Sequence, residues 1–350
     1  MSFFSRENVF HTLKGILFVS VFAVMATLIA NTGFIKKLGF SPLIVGILIS
    51  MIYGNTLRHH LPEKWLMGIL FSAKFILRTA VIFYGFRITF GDIASIGVSG
   101  LTQSVVMVTT TFLIGSFVGI RLLKMDRDTT FLTASGSAVC GAAAVLATES
   151  VLKSEPHKSA IAVSTVVLFG TISMFFYPVL QKSGALPLDE THYGIYIGGS
   201  VHEVAQVVAA GNAISPVATN TGVIVKMTRV MLLGPMLIIL GLFLSKKSRE
   251  LIKTKTTRKK KVVVPWFVFG FILVAGFNSL HWIPKPGVDV INTVDTFLLT
   301  MAMCALGMET NFAKFKAAGA KPIYLAAILF VWLLAGGLLF TKLVGGIFIK

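Results

Sequence analysis

The sequence predicts an all-α polytopic membrane protein with about eleven transmembrane helices. Of its 350 residues, 55% are hydrophobic and only 13% are charged, and the mean hydropathy is +0.83, whereas soluble domains carry about 25% charged residues. Apolar runs that approach the roughly 20 residues needed to cross a bilayer recur throughout the chain. They lie near 13–32, 40–56, 66–88, 98–120, 129–149, 159–181, 193–213, 223–245, 263–283, 291–309 and 322–345.

The first apolar run follows the basic residues Arg6 and Lys14 and could be mistaken for a signal peptide. Because no small-residue cleavage site follows and further apolar runs begin at once, we expect it to be a retained helix. The chain is then a single membrane domain over residues 1–350, in which the longest connection is a basic linker at 246–262.

Positive charge predicts the sides of the membrane. The net charge is +18, and Lys and Arg are concentrated in every second connection, which identifies those connections as cytoplasmic. The cytoplasmic set contains Arg6, Arg58, Lys64, Arg121, Lys124, Arg127, Lys182, Lys314, Lys316, Lys321 and the basic linker, and the external set contains Lys36, Lys37, Lys153, Lys158, Lys285 and Lys350. We therefore expect a cytoplasmic N-terminus and an external C-terminus, and we attribute the charge to topology and not to nucleic-acid binding.

An odd number of spans suggests one extra helix followed by two five-helix units. A five-helix unit repeated in tandem is inverted, as in many secondary transporters. We expect the extra helix in residues 1–38, one repeat in 39–192 and the other in 193–350, so that the fifth and tenth segments correspond. A rival alignment places Gly136-Ser137 on Gly199-Ser200, and it leaves open whether the seventh or the tenth segment is the second broken helix.

Very small and hydroxyl-bearing side chains interrupt the fifth segment at residues 134–144. Non-helical backbone at membrane depth persists only inside protein or beside a water-filled cavity, so we expect a broken helix here. Free N–H groups at a half-helix N-terminus favour an anion, and glycine allows close approach to the backbone. The candidate substrate-binding residues are Ser135, Gly136, Ser137, Cys140 and Gly141, with Gly199 and Ser200 from the seventh segment. Ordinary small-residue helix packing is the alternative.

The seventh segment carries ionisable groups near mid-membrane. Gln206 shares a helix face with Glu203, three residues before it, and neighbours His202, four residues before it. A charge at the bilayer centre costs at least about 2.5–3.5 kcal/mol on insertion scales, so it requires a reason. We expect His202, Glu203 and Gln206, together with Asp295 of the tenth segment, to carry the coupling ion; a structural hydrogen-bond network is the alternative.

Lys226 and Arg229 lie three residues apart in the eighth segment. Arg suits bidentate recognition of oxyanions, so we expect both to bind an anionic substrate. The alternatives are snorkelling to the headgroups and pairing with Glu203. Cys140 and Cys304 form no metal or disulfide motif, and the spacing around His202 does not suggest a zinc site, so no metal or cofactor is expected.

Three motifs in particular carry a resemblance: residues 136–144, residues 198–211 and Lys226-Met227-Thr228-Arg229. They resemble the YeiH-type family of sulfate exporters, which are bacterial inner-membrane proteins, and the resemblance covers the whole chain. It implies sulfate or a related sulfur oxyanion as the substrate, export as the direction and the inner membrane as the location. The family is similar to inverted-repeat transporters that include bile-acid/sodium symporters and sodium/proton antiporters. That similarity implies a core domain with two crossing broken helices moving against a panel domain.

The preferred interpretation is a secondary active transporter of a small anion, coupled to protons or sodium by alternating access. The alternative is a sodium or proton/cation antiporter with Glu203 and Asp295 as the ion site. An enzyme is not expected, because Ser200 and His202 are two residues apart on a helix and face different ways. The expected partners are a small anion, a proton or sodium ion and membrane lipid, with no nucleic acid; a homodimer is left open.

Overall fold

A computed structural model of the chain describes residues 9–33, 35, 41–58, 61–249, 266–310 and 319–348. No strand occurs among these residues. The helices, numbered in chain order, are α1 (Val9–Ala30), α2 (Pro42–Thr56), α3 (Glu63–Arg87), α4 (Phe90–Leu122), α5 (Arg127–Ala138), α6 (Ala142–Leu152), α7 (Pro156–Lys182), α8 (Glu190–Ser200), α9 (Val204–Asn212), α10 (Pro216–Met231), α11 (Leu233–Arg249), α12 (Trp266–Ser279), α13 (Lys285–Glu309) and α14 (Ala320–Phe348). Residues 250–262 of the basic linker, and Arg6, Lys36, Lys37, Lys314, Lys316 and Lys350, lie outside the described residues.

The helices have the composition of membrane spans. Seven described stretches are long and apolar enough to cross a bilayer: Val9–Ala30, Glu63–Arg87, Phe90–Leu122, His157–Lys182, Pro216–Phe243, Lys285–Glu309 and Ala320–Leu343. Helices α2, α6 and α12 are apolar but shorter. Large apolar side chains such as Leu17, Ile239 and Leu273 are more than half exposed, as expected of surfaces that face lipid. The polytopic all-helical class is therefore confirmed, whereas the count of eleven spans and the five-helix repeats stay predictions.

The chain divides into two compact units. Unit 1 contains the described residues of Met1–Ser95, Val208–Asn220 and Phe267–Ala313. Unit 2 contains those of Ile96–Val207, Thr221–Trp266 and Lys314–Lys350.

In unit 1, the tenth predicted segment is the continuous helix α13, which packs closely against α2. A Cβ atom added to Gly54 of α2 would lie 2.7 Å from the Met308 carbonyl oxygen, and one added to Gly307 of α13 would lie 2.6 Å from the Ile47 carbonyl oxygen. Such distances exclude any larger residue unless the backbone moves. The small residues of α13 therefore serve helix packing, and this segment is not the second broken helix.

In unit 2, the fifth predicted segment consists of two helices that fold back on each other. α5 ends at Ala138 and α6 begins at Ala142. A Cβ atom on Gly136 would lie 2.7 Å from Val145 Cγ2, whereas positions nine residues apart on a straight helix are about 13 Å apart. We call residues 127–152 hairpin 1. The expectation that 129–149 forms one crossing is corrected, because its direction reverses at the break.

The base of hairpin 1 confirms this reversal. Lys158 Nζ, at the start of α7, lies 3.1 Å from Asp126 Oδ1 and 3.4 Å from Asp128 Oδ2, at the start of α5. The side chain of Asp126 also caps α5 by accepting a hydrogen bond from the Thr129 N–H. The prediction that Lys158 and Lys153 lie on the opposite side from 121–128 is therefore wrong for Lys158, and Lys153 ends the returning helix.

The seventh predicted segment is broken in the same way. α8 ends at Ser200 and α9 begins at Val204. A Cβ atom on Gly222 of α10 would lie 3.1 Å from Val207 Cγ1 and 3.2 Å from the Gly194 carbonyl oxygen, although thirteen residues of straight helix span about 20 Å. α9 therefore turns back beside α8, and we call residues 190–212 hairpin 2. This segment, and not the tenth, supplies the second break, and the expectation that 193–213 crosses as one span is corrected.

Helix α7 connects the two hairpins. Its start contacts the base of hairpin 1 through Lys158, and a Cβ atom on Gly136 would lie 2.8 Å from Val166 at its middle. Further along, Gly170 contacts the Gln206 side chain, and the Tyr177 hydroxyl shares a hydrogen bond with Ser200. Because α7 has 27 residues and is about 40 Å long, the bases of the hairpins lie at opposite ends of it and their tips meet along its middle.

Candidate functional site

The tips of the two hairpins meet at a buried lysine of α10. The Nζ atom of Lys226 donates to the Val139 carbonyl at 2.6 Å and to the Val201 carbonyl at 2.7 Å. Val139 lies in the break of hairpin 1 and Val201 in the break of hairpin 2. The Lys226 side chain is fully buried. One ammonium group thus joins the two tips.

Arg229, one turn further along α10 and also fully buried, makes the same connection. Its Nε and Nη2 atoms donate to the carbonyls of Ala138 and Ser137, each at 2.6 Å, and Nη1 donates to the Val201 carbonyl at 3.2 Å. The last carbonyls of a helix lack partners within it and carry the negative end of its dipole. The two cations therefore neutralise the C-terminal ends of α5 and α8.

Glu203 occupies the opposite kind of helix end. Its Oε1 accepts a hydrogen bond from the Ala142 N–H, at the start of α6, at 3.4 Å. The positive end of the α6 dipole favours a carboxylate there. Gly141 has φ +67° and ψ −134°, and a Cβ atom on it would lie 2.6 Å from Glu203 Cγ. Glycine is therefore needed at this position both for its backbone conformation and for the space that Glu203 occupies.

Two further polar side chains at the tips lack partners among the described residues. Both ring nitrogens of His202 and the hydroxyl of Ser137 are buried without a hydrogen bond. Buried polar groups are nearly always paired, so unpaired ones at a backbone break are candidate ligand-binding groups. Cys140 lies between Val139 and Gly141 in the same tip and is buried.

The other predicted residues of unit 2 contact neighbouring helices or their own backbone. Ser135 donates to the Leu132 carbonyl, and Ser200 bonds to Tyr177 and to its own helix. Gln206 Oε1 accepts from the Glu203 N–H at 3.1 Å, which holds the start of α9. Gly136 packs against Val145, and Gly199 packs against Gln103. Their roles in binding or coupling stay predictions.

Asp295 lies in unit 1, whereas the rest of the predicted site lies in unit 2. Its Oδ2 is 3.3 Å from Arg87 Nη2, which also donates to the Asn292 carbonyl at 2.6 Å and to Thr296 Oγ1 at 2.7 Å. The Arg87 guanidinium lies over the Tyr84 ring, 5.0 Å from its centroid. The buried carboxylate is thus held by a cation of its own unit.

Sequence reasoning missed the partners of the two tip cations. Lys226 and Arg229 bind backbone carbonyls, and every residue has a carbonyl, so no side-chain pattern reveals them. In the part of the chain that the structure describes, no three His, Cys, Asp or Glu residues gather into a group that could hold a metal ion.

Comparison with known proteins identifies the family. A family model described as "Conserved hypothetical protein 698" matches residues 14–326. The UPF0324 membrane protein of Pseudomonas putida is 51% identical over 329 residues, which cover 94% of this chain and 92% of the relative. The UPF0324 membrane protein of Bacteroides thetaiotaomicron is 48% identical over 330 residues, with 94% and 98% covered.

A further relative is a YeiH protein, from the family that the three motifs resemble. The UPF0324 inner membrane protein YeiH of Escherichia coli K12 is 44% identical over 332 residues, which cover 95% of this chain and 94% of the relative. No solved structure matches the chain. The predicted resemblance to the YeiH-type proteins is confirmed, and the chain belongs to the UPF0324 family of bacterial membrane proteins.

Proposed function

We propose that this protein is a secondary active transporter that moves a small anion, sulfate or a related sulfur oxyanion, outward by alternating access. The observation that carries the proposal is the meeting of two broken hairpins at one pair of buried cations, Lys226 and Arg229. If Lys226 and Arg229 only held the two hairpins together, their bonds to the carbonyls would be sufficient. The unpaired polar groups of Ser137 and His202 beside them would then have no purpose.

The charge balance at the tips favours an anion. Lys226 and Arg229 contribute two positive charges, and Glu203 contributes one negative charge. The C-terminal ends of α5 and α8 each carry about half a negative charge, and the N-terminal ends of α6 and α9 each carry about half a positive charge, so the helix ends cancel. One positive charge remains. A singly charged anion would neutralise it, and doubly charged sulfate would be neutralised when Glu203 is also protonated.

Hydrogen-bond donors remain for such an anion. An ammonium group has three N–H donors and a guanidinium five, of which the carbonyl contacts described above use two in Lys226 and three in Arg229. The hydroxyl of Ser137 and the ring of His202 add further donors that lack partners among the described residues. This set suits a tetrahedral oxyanion, whose oxygens accept from several directions.

The hairpins also support alternating access. Non-helical backbone at membrane depth is found where it lines a binding site, and half-helix ends frame the substrate in many secondary transporters. Two hairpins with bases at opposite ends of α7 would each separate the site from one side of the membrane. If they do not cross, nine spans remain of the predicted eleven. The number of spans is still odd, so a cytoplasmic N-terminus and an external C-terminus remain our proposal. Lys153 and Lys158 join the cytoplasmic set, and Lys182, at the far end of α7, moves to the external set.

The coupling group we propose is Glu203, assisted by its neighbour His202, with a proton or sodium ion as the coupling ion. The alternative function, a cation antiporter with Glu203 and Asp295 as its ion site, has weaker support. Asp295 belongs to unit 1, and its carboxylate is already paired there with Arg87.

The test is transport by the purified protein in liposomes. Uptake and release of labelled sulfate, sulfite and small sulfonates are measured with imposed proton and sodium gradients. We expect gradient-driven movement of at least one of these anions, lost in Glu203→Gln and kept in Glu190→Gln, which changes an exposed carboxylate of the same hairpin. Cation-driven pH change with no anion movement would overturn the proposal in favour of antiport.

A further inference from the structure

A cavity of about 310 Å³ opens at the base of hairpin 1, away from the tips. Three helices of unit 2 begin around it, since Asp126 and Thr129 from the start of α5, Lys158 from α7 and Lys321 from α14 all contribute to its wall. Lys124, from the connection before α5, completes the charged part of the wall. The base of the hairpin is therefore a concave surface with a net positive charge.

The acidic groups near this cavity are already engaged. Asp126 and Asp128 both pair with Lys158, at 3.1 and 3.4 Å. The neighbouring His157 pairs with Glu155 at 3.1 Å. No ion pair with a described residue is recorded for Lys124 or Lys321, and the positive ends of three helix dipoles point toward the same region. Both lysines are exposed, so their ammonium groups are available to an anionic ligand.

The surface next to the cavity is apolar. At the end of α4, just before Lys124, Leu122 is 64% exposed and Ile120 is 37% exposed. On α14, one turn beyond Lys321, Tyr324 is 59% exposed. A tyrosine at the start of a span is typical of the level of the lipid headgroups. Basic side chains beside exposed apolar side chains suit a ligand that has both a phosphate and acyl chains.

We propose that this cavity binds the phosphate headgroup of an anionic phospholipid, with the acyl chains lying along the exposed end of α4. Basic pockets between transmembrane helices are a recurrent mode of binding for such headgroups. The volume also falls in the range of small-molecule sites, which exceeds what a single oxyanion needs. A phosphate group is common to an anionic phospholipid and to a soluble phosphate ester, and the soluble ester is the alternative ligand. The inference does not depend on the proposed transport function.

The test uses the full-length protein, delipidated in detergent. Binding of phosphatidylglycerol, phosphatidylcholine, glycerol phosphate and inorganic phosphate is followed by native mass spectrometry and by the shift in unfolding temperature. We expect phosphatidylglycerol to bind and stabilise, and the other three to have little effect. In the double variant Lys124→Gln/Lys321→Gln, binding should weaken about tenfold or more, and added salt should reduce the difference.

The matched control is Lys285→Gln/Lys342→Gln, which removes the same charge from two exposed lysines elsewhere. An equal loss of lipid in this control would overturn the proposal, because it would show a general effect of charge. Glycerol phosphate binding as tightly as phosphatidylglycerol would overturn the lipid assignment in favour of a soluble ester. If the double variant does not fold, Lys321→Gln alone must show weakened lipid binding, and unchanged binding there would refute the site.

Discussion

Replacing Gly141 by alanine should damage the contact between the two hairpin tips. Gly141 has φ +67° and ψ −134°, a conformation that costs other residues about 1–3 kcal/mol. The new Cβ would lie 2.6 Å from Glu203 Cγ and 2.8 Å from Glu203 Oε1, and overpacking of this kind costs about 1–3 kcal/mol. The sum is about 2–6 kcal/mol, and the displaced carboxylate would leave the start of α6.

Two glycines separate these contributions. Gly184 also has φ +67° but no atom within 4 Å of a new Cβ, so Gly184→Ala should show the backbone cost alone. Gly234, the second residue of α11, precedes Pro235, and a new Cβ there meets no atom within 4 Å apart from its chain neighbours. Gly234→Ala should therefore show only the steric cost of a side chain before proline in a helix, without overpacking. Unfolding by detergent titration measures all three, together with sulfate transport. If Gly141→Ala costs no more than Gly184→Ala and transports normally, the proposed role of the Glu203 contact is refuted.

Three other changes test separate features. Lys226→Met removes two charge-assisted hydrogen bonds, so the free energy of unfolding should fall by about 3–5 kcal/mol. The control Lys285→Met, at an exposed lysine, should cost under about 0.5 kcal/mol. Similar costs for the two variants would show that Lys226 does not hold the hairpin tips together. In a Cys304→Ala background, Cys140 should react slowly with a thiol reagent, and more slowly with sulfate present; a rate independent of sulfate, read by mass spectrometry, would argue against an anion at this tip. Burial raises the pKa of Asp126, but the hydrogen bonds from Thr129 and the nearby Lys158 ammonium lower it by more. The net result is a pKa below its ordinary value. The ionised Asp126 therefore stabilises the folded state above its unfolded-state pKa of about 3.9, and this stabilisation is lost as the pH falls through the folded-state pKa. Asp126→Asn should reduce the pH dependence of the unfolding free energy below about pH 4. An unchanged pH dependence would contradict this.

The break in hairpin 1 could be predicted from the sequence, whereas the second break stayed open between two segments and the reversal of direction could not be predicted. Residues 129–149 are long and apolar enough to read as one span, whereas the folded halves have 12 and 11 residues, each too short to cross a bilayer alone. The only available signal was charge. Lys153 and Lys158 stood on the predicted external side, and folding the segment back brings Lys158 to Asp126, beside the basic connection at 121–128.

Small residues predict close backbone approach without specifying what approaches. In hairpin 1 the glycine at 141 admits a carboxylate at a break, whereas Gly307 of α13 admits a neighbouring helix. Both segments contain a cysteine, a glycine and a terminal glutamate, so the sequence could not distinguish them. The distinction arises from tertiary contacts, as does the pairing of Arg229 with carbonyls of two separate hairpins.

Helix α7 contacts hairpin 1 at Lys158 and Val166 and hairpin 2 at Gly170 and Tyr177. One continuous helix therefore packs against both hairpins, and Lys226 and Arg229 of α10 join the two tips through hydrogen bonds. Neither hairpin can swing outward like an independent gate without straining the other. If the protein transports an anion as we propose, an anion bound at the tips moves together with both hairpins, α7 and α10.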